Sequence, residues 1–389
     1  FFKRQLLYGV LPGFVLLFLV SRVSVDRLKS LAPYMLPSAA ALLLLGFIPG
    51  LRAGYGTGSW LNVFGASLQP SEPAKLFLIL YFAWWLARRD EAVIKGFWTG
   101  FVPFTISVGV VIALMMAQRD LGTTAVIVAF LFTMYISAGA PLRHLAILFG
   151  AGFAMFLVFI KIAPYRADRL KIFLHPELDP QGVGYHINQA MLAIGSGGWF
   201  GLGLGNSLQK HQYLPEVAGD SIFAIIAEEL GFLFSALLII GFMLLIRHGL
   251  KIAERTSDPF SRYAAVGITA WIGFQAILNI SAMVGLTPLT GVPLPFISHG
   301  GSAMLANLAS IGVLAAISAD GNGIARARDP ALTAGNLYAF DYETVAGAEF
   351  IVQRDKGMMM GRFVSNAGQK VSVIDPGSAQ NSYKVLSVS

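Results

Sequence analysis

Along the 389 residues, apolar stretches of bilayer-crossing length alternate with short polar breaks. A hydrocarbon core takes about 20 apolar residues per helix. Nine stretches answer to that need: residues 5–21, 31–48, 73–88, 97–117, 121–138, 143–162, 221–246, 263–285 and 302–318. The third is short and opens on the charged Glu72 and Lys75. The pattern predicts an all-α polytopic membrane protein with nine transmembrane helices over residues 1–318, interrupted by one large loop at 163–220. Beyond 319 the apolar periodicity fades, charge is balanced, and β-prone runs appear at Phe350-Ile351-Val352 and Val371-Ser372-Val373-Ile374. Residues 319–389 therefore read as a small appended segment or tail, and no function is legible in it.

Lys and Arg in short loops report orientation, because they stay on the cytoplasmic side. Alternate loops separate by this criterion. Arg22, Arg27, Lys29, Arg88, Arg89, Lys95, Arg143, Arg247, Lys251, Arg255 and Arg262 fall on one side, whereas the short loops of the other side hold only Arg52 and Arg119. Loops 49–72, 118–120, 163–220 and 286–301 are accordingly expected outside and the C-terminus inside. Lys3 and Arg4 then fall outside, against the rule, as they would if one span preceded this chain.

Composition supports the same solvent. The chain is 56% hydrophobic and 13% charged, against about 25% charged in soluble domains. Cysteine is absent, which removes disulfides, thiolate nucleophiles and Cys-ligated metals. No cleavable signal peptide is visible. In a membrane protein the location of charge matters more than its sum, so the net charge of +7 does not point to nucleic acid.

Chemistry-bearing residues gather in the loops expected outside. Loop 163–220 holds Arg166, Asp168, Arg169, Lys171, His175, Glu177, Asp179, His186, Lys210, His211, Glu216 and Asp220 around a glycine-dense run, Gly195 to Gly205. Such a run permits φ > 0 and close backbone approach; it suits either a re-entrant turn or a nest facing a diphosphate. Asp220 immediately precedes an apolar run, so it either caps a helix or serves as a general base at the bilayer surface. Glu228 and Glu229 lie about 100° apart on a helix, which makes one of them structural. Glu72 and Lys75 are spaced to pair on one helix face, as a latch or as part of a polar cavity. Gln118-Arg119-Asp120 links two spans. Residues 287–302 carry three prolines and three glycines and cannot form one helix. The histidines, His299 included, lack metal-ligand spacing, so no metal site is expected.

Taken in order, Gln69-Pro70-Ser71-Glu72-Pro73-Ala74-Lys75, Gln118-Arg119-Asp120-Leu121-Gly122-Thr123, the glycine run, Tyr213-Leu214-Pro215-Glu216 leading to Asp220-Ser221-Ile222-Phe223, Glu228-Glu229-Leu230-Gly231 and Thr290 to Ser302 resemble the SEDS family of FtsW/RodA-type proteins, which serve bacterial shape, elongation, division and sporulation. The resemblance runs from Phe1 to about Ser318. It implies a ten-span fold of which this chain lacks the first. Three positions depart from the family pattern: Ser59 where arginine is frequent, Arg119 where proline is common, and His299 where tyrosine is common.

The resemblance implies a peptidoglycan glycosyltransferase in the bacterial cytoplasmic membrane that polymerises lipid II at the outer face, for division or elongation. It makes Asp220 the base that takes the proton of the acceptor hydroxyl. Arg166, Arg169 and Lys210 are candidates for the diphosphate by charge and location; Gln118, Asp120 and Ser298 join them as candidate substrate contacts. A divalent cation, Mg or Mn, is a possible aid to the leaving group. A class B penicillin-binding protein, a transpeptidase, is the expected partner beside membrane lipids. Two other readings compete: a lipid II flippase, in which polar residues would line a through-path from both faces, and a non-catalytic scaffold for a transpeptidase, in which Asp220 would be dispensable.

Overall fold

The computed structural model describes residues 2–48, 59–63, 66–148, 150, 152, 171–175, 178–179, 182–210, 214, 219–328, 349–355, 358–364, 370–374 and 384–388. The chain divides after Ile317 into two compact units.

The first unit is helical. Its main helices are α1 (Leu11–Ser21), α2 (Val25–Leu31), α3 (Met35–Leu45), α4 (Ser71–Ala87), α5 (Val102–Ala117), α6 (Leu121–Ser137), α7 (Val183–Ser196), α8 (Ile222–Arg255), α9 (Pro259–Met283) and the first part, to Ile317, of α10 (Gly301–Arg328). Five helical stretches among the described residues are long and apolar enough to cross a membrane: Val25–Leu45, Phe97–Ala117, Ile222–Arg255, Pro259–Met283 and Gly301–Asp320. Leu6–Ser21 and Leu121–Ser137 are shorter apolar helices. This is a multi-pass membrane protein. The apolar stretch expected at 143–162 falls largely outside the described residues, with residues 142–148 helical.

Helix α9 is the hub. It packs on α8, α4 and α6, and Ile268, Trp271 and Ile272 on it are fully buried. By contrast α8 leaves Phe232, Leu233, Leu237, Ile240 and Met243 on the outer surface of the unit, as a helix facing lipid must. At the start of α9, Asp258 caps the helix by accepting from the Ser261 amide at 3.0 Å and hydroxyl at 2.7 Å, and pairs with Lys29 at 3.0 Å. Burial alone would raise its pKa, but those bonds and the lysine outweigh it and hold the carboxyl below its usual range.

Ahead of α4, β1 (Leu61–Val63) and β2 (Ala66–Leu68) form an antiparallel hairpin. The second unit contains β3 (Glu349–Asp355), β4 (Met358–Val364), β5 (Lys370–Ile374) and β6 (Lys384–Val388), an antiparallel meander in chain order. The β-prone runs of the sequence lie in β3 and β5.

Candidate active site

The site is organised by the proline-rich loop that follows α9. Each proline removes a backbone donor, and the carbonyls left in such a loop still need partners. Helix α9 supplies two, from Gln275 and Asn279, which share a face one turn apart and are 0% and 1% exposed. Gln275 Nε2 donates to the Pro293 carbonyl at 2.9 Å. Asn279 Nδ2 donates to the Val292 carbonyl at 2.8 Å and to the Asp220 carbonyl at 2.7 Å. Ser298 Oγ accepts from the Leu294 amide at 2.7 Å and donates to the Gly219 carbonyl at 2.6 Å. From the N-terminal side of α1, Gln5 donates to the Ser298 carbonyl at 3.3 Å and accepts from the Gly300 amide at 3.1 Å. Ser302 Oγ accepts from the Gln69 amide at 3.1 Å.

Asp220 is thereby held by the main chain. Two successive carbonyls, those of Gly219 and Asp220, are gripped by side chains from the opposite wall. The carboxylate lies against Gly291, which is exposed and has φ +67°; a Cβ placed there would stand 3.8 Å from Asp220 Oδ2. That conformation favours glycine, and no side chain stands at this position beside Asp220 Oδ2. The N-cap position of α8 is Ser221, one residue after Asp220. Ser221 Oγ bonds His186 Nε2 of α7 at 2.7 Å. Burial depresses the His186 pKa below its ordinary 6.5.

Beneath this layer, Lys75 Nζ meets Glu72 Oε1 at 2.9 Å with both side chains unreached by solvent. The ammonium also donates to Gln275 Oε1 at 2.6 Å and lies 4.8 Å from the Trp271 ring centre. The same Gln275 oxygen accepts from Trp271 Nε1 at 2.6 Å. The carboxylate of Asp120 acts electrostatically on Lys75 as well. Asp120 itself caps α6 through the Thr123 amide at 3.0 Å and accepts from Gln69 Nε2 at 3.3 Å. The buried Gln118 donates its amide to the Leu43 carbonyl. The expected substrate contacts Gln118, Asp120 and Ser298 thus hold internal partners that shape the site. Between the first two, Arg119 is exposed with φ +62°; proline, locked near −65°, cannot adopt this backbone.

Part of the backbone of the glycine run is engaged by a neighbouring helix. Helix α8 breaks at Gly231 (φ +75°, ψ −174°), and the run packs into the break. Amides of Leu202 and Gly203 donate to the Glu228 and Glu229 carbonyls, both at 2.9 Å, and the Phe232 amide donates to the Gly198 carbonyl at 2.9 Å. Both glutamates brace the neighbouring turn, so each fills the structural role expected of one. Glu228 accepts from Ser207 Oγ at 2.5 Å and the Leu208 amide at 2.9 Å. Glu229 pairs with Lys210 at 2.7 Å, and Lys210 also donates to the Gly205 carbonyl at 2.5 Å. Lys210, expected at a diphosphate, is therefore engaged with a carboxylate in this structure. Arg166 and Arg169 lie outside the described residues, as do His211 and Glu216. Among the described residues, no three His, Asp or Glu side chains converge to hold a metal ion.

None of the sequence motifs contains Gln275, Asn279 or Gln5, and His186 is one polar residue among many in its loop. The available signal was the pair of amides four residues apart within an apolar span, since polar groups there seek bonds across helices.

Residues 1–322 match the model of the cell cycle protein family that groups FtsW, RodA and SpoVE. The chain is 37% identical over 331 residues to a probable peptidoglycan glycosyltransferase FtsW of Geobacter sp. (strain M18), covering 84% of this chain and 88% of the relative. It is 39% identical over 319 residues to stage V sporulation protein E of Bacillus subtilis (strain 168), covering 82% and 87%. Among solved structures, a chain from a peptidoglycan synthase complex, described as coordinating polymerization and crosslinking, superposes with a TM-score of 0.70 at 28% identity, covering 82% of this chain and 89% of the other.

Proposed function

Since the chain belongs to the FtsW/RodA/SpoVE family of cell cycle proteins, we propose that it is a peptidoglycan glycosyltransferase that extends glycan strands from lipid II at the outer face of the cytoplasmic membrane, with Asp220 as general base. The observation that carries this reading is the half-buried Asp220 carboxylate, fixed by its own main chain beside the exposed, side-chain-free Gly291. The Lys and Arg distribution supports the orientation, with the C-terminus in the cytoplasm.

In the reaction, the 4-hydroxyl oxygen of the acceptor sugar attacks C1 of the donor sugar. Its proton passes to an Asp220 oxygen as the new C–O bond forms. The bond from C1 to the diphosphate breaks, and undecaprenyl diphosphate leaves with the bonding pair. A positioned base supplies roughly 10²–10⁴-fold in rate. Arg166 and Arg169 are the proposed counter-charges to the departing diphosphate. Mg or Mn carried by the diphosphate would add to that charge. The likeness to a synthase that couples polymerization with crosslinking supports a crosslinking partner, here a class B penicillin-binding protein.

The test is polymerisation of purified lipid II by Asp220→Asn. Loss of strand growth in a folded, monodisperse variant is expected. Strand growth at the unmodified rate would remove Asp220 from the chemistry, and lipid II translocation without growth by the unsubstituted protein would replace the enzyme with a flippase.

A further inference from the structure

We propose that Asn279 is a positioning residue for this reaction, its amide fastening the main chain of Asp220 to the proline-rich loop and so setting where the carboxylate stands. The inference rests on the assignment of Asp220 as base. One nitrogen, Nδ2, serves two carbonyls from segments 59 and 13 residues away in sequence, Asp220 and Val292. These are the neighbours of the two surfaces that face each other at the site, the Asp220 carboxylate and Gly291. Asn279 is 1% exposed, and its oxygen Oδ1 takes no hydrogen bond from any described residue. The bonds this buried amide makes are therefore those of its donor nitrogen. One turn earlier, Gln275 ties the next carbonyl of the loop, that of Pro293, to Lys75. The face of α9 therefore joins the buried ion pair, the loop and the base into one unit.

Displacing a reacting group by about 1 Å can lower rates about 10²-fold. Asn279→Leu keeps the branched outline at a larger volume and removes the donor; Asn279→Asp keeps the shape and turns oxygen toward two carbonyls; Asn279→Gln keeps both donor hydrogens on a longer arm. Purified full-length variants are assayed over a lipid II concentration series beside Asp220→Asn. The expected result is kcat lowered about 30–100-fold in the Leu and Asp variants with KM within about twofold, and recovery of about tenfold in the Gln variant. A purely structural role would lower the folded fraction and leave the kcat of folded molecules intact. The inference fails if the Leu variant keeps kcat within about threefold of the parent, or if the Gln variant does no better than Leu. Should Leu not fold, the Asp and Gln pair decides by the same comparison. An inactive Asp220→Asn beside normal Asn279 variants sinks this inference alone, whereas an active Asp220→Asn sinks the reading beneath it.

Discussion

Glu72 and Lys75, one turn apart on α4, bring opposite charges within 2.9 Å of each other with no solvent on either. Removing one partner of a buried pair strands the other, a loss of roughly 3–5 kcal/mol, whereas replacing both is much milder. Lys75→Met and Glu72→Gln are each expected to lower the thermal midpoint strongly, and the double variant to recover most of it. Midpoints measured in one detergent decide; a double variant as unstable as the worse single would show that the pair does not act as a unit.

Gly231→Ala should open the segment that packs into the helix break. The backbone there is one that only glycine takes readily, with strain of order 1–3 kcal/mol for other residues, and a Cβ would stand 2.4 Å from the Gly201 amide nitrogen. Gly241, on the same helix with nothing within 4 Å of its Cβ position, is the control and should tolerate alanine. Limited proteolysis between residues 197 and 210 reads the difference: faster cutting in the first variant, parental cutting in the second.

Lys210 separates a brace from a substrate contact. As the partner of Glu229, a part-exposed pair worth about 0–1 kcal/mol, Lys210→Met should change stability slightly and leave KM for lipid II within about twofold. Glu229→Gln should reproduce that small effect. A KM increase confined to the lysine variant would return Lys210 to the diphosphate.

His186 gives an acid limb to stability. Burial depresses its pKa below the ordinary 6.5, so the unfolded chain binds a proton before the folded one does. Stability is then full above about pH 6.5 and declines as pH falls through the depressed value. Thermal midpoints between pH 7.5 and about 5 should fall further in the parent than in His186→Gln, where no such proton is taken up. Parallel curves would exclude His186 as the source.

The helices were legible because burial in lipid demands an unbroken apolar run. The expected stretches 97–117 and 121–138 overlie Phe97–Ala117 and Leu121–Ser137. Glu72–Lys75 was legible for a related reason, being set by helical spacing alone. Asn279 to Asp220 and Gln5 to Ser298 were not, because they join residues 59 and 293 apart and long-range bonds leave no periodicity. The glycine run announced positive φ, which Gly198, Gly201, Gly203 and Gly205 all show. It did not announce what would fill the space beside it, because a helix carbonyl and a diphosphate both need a backbone stripped of side chains.

Both grips described on the Asp220 segment, from Asn279 and from Ser298, close on main-chain oxygens. These two fastenings are thus chemically separate from the reacting group. Exchanging the carboxylate leaves those two fastenings in place, so a silenced protein should keep the geometry of the working one and make a faithful trap for a donor–acceptor pair caught before bond formation.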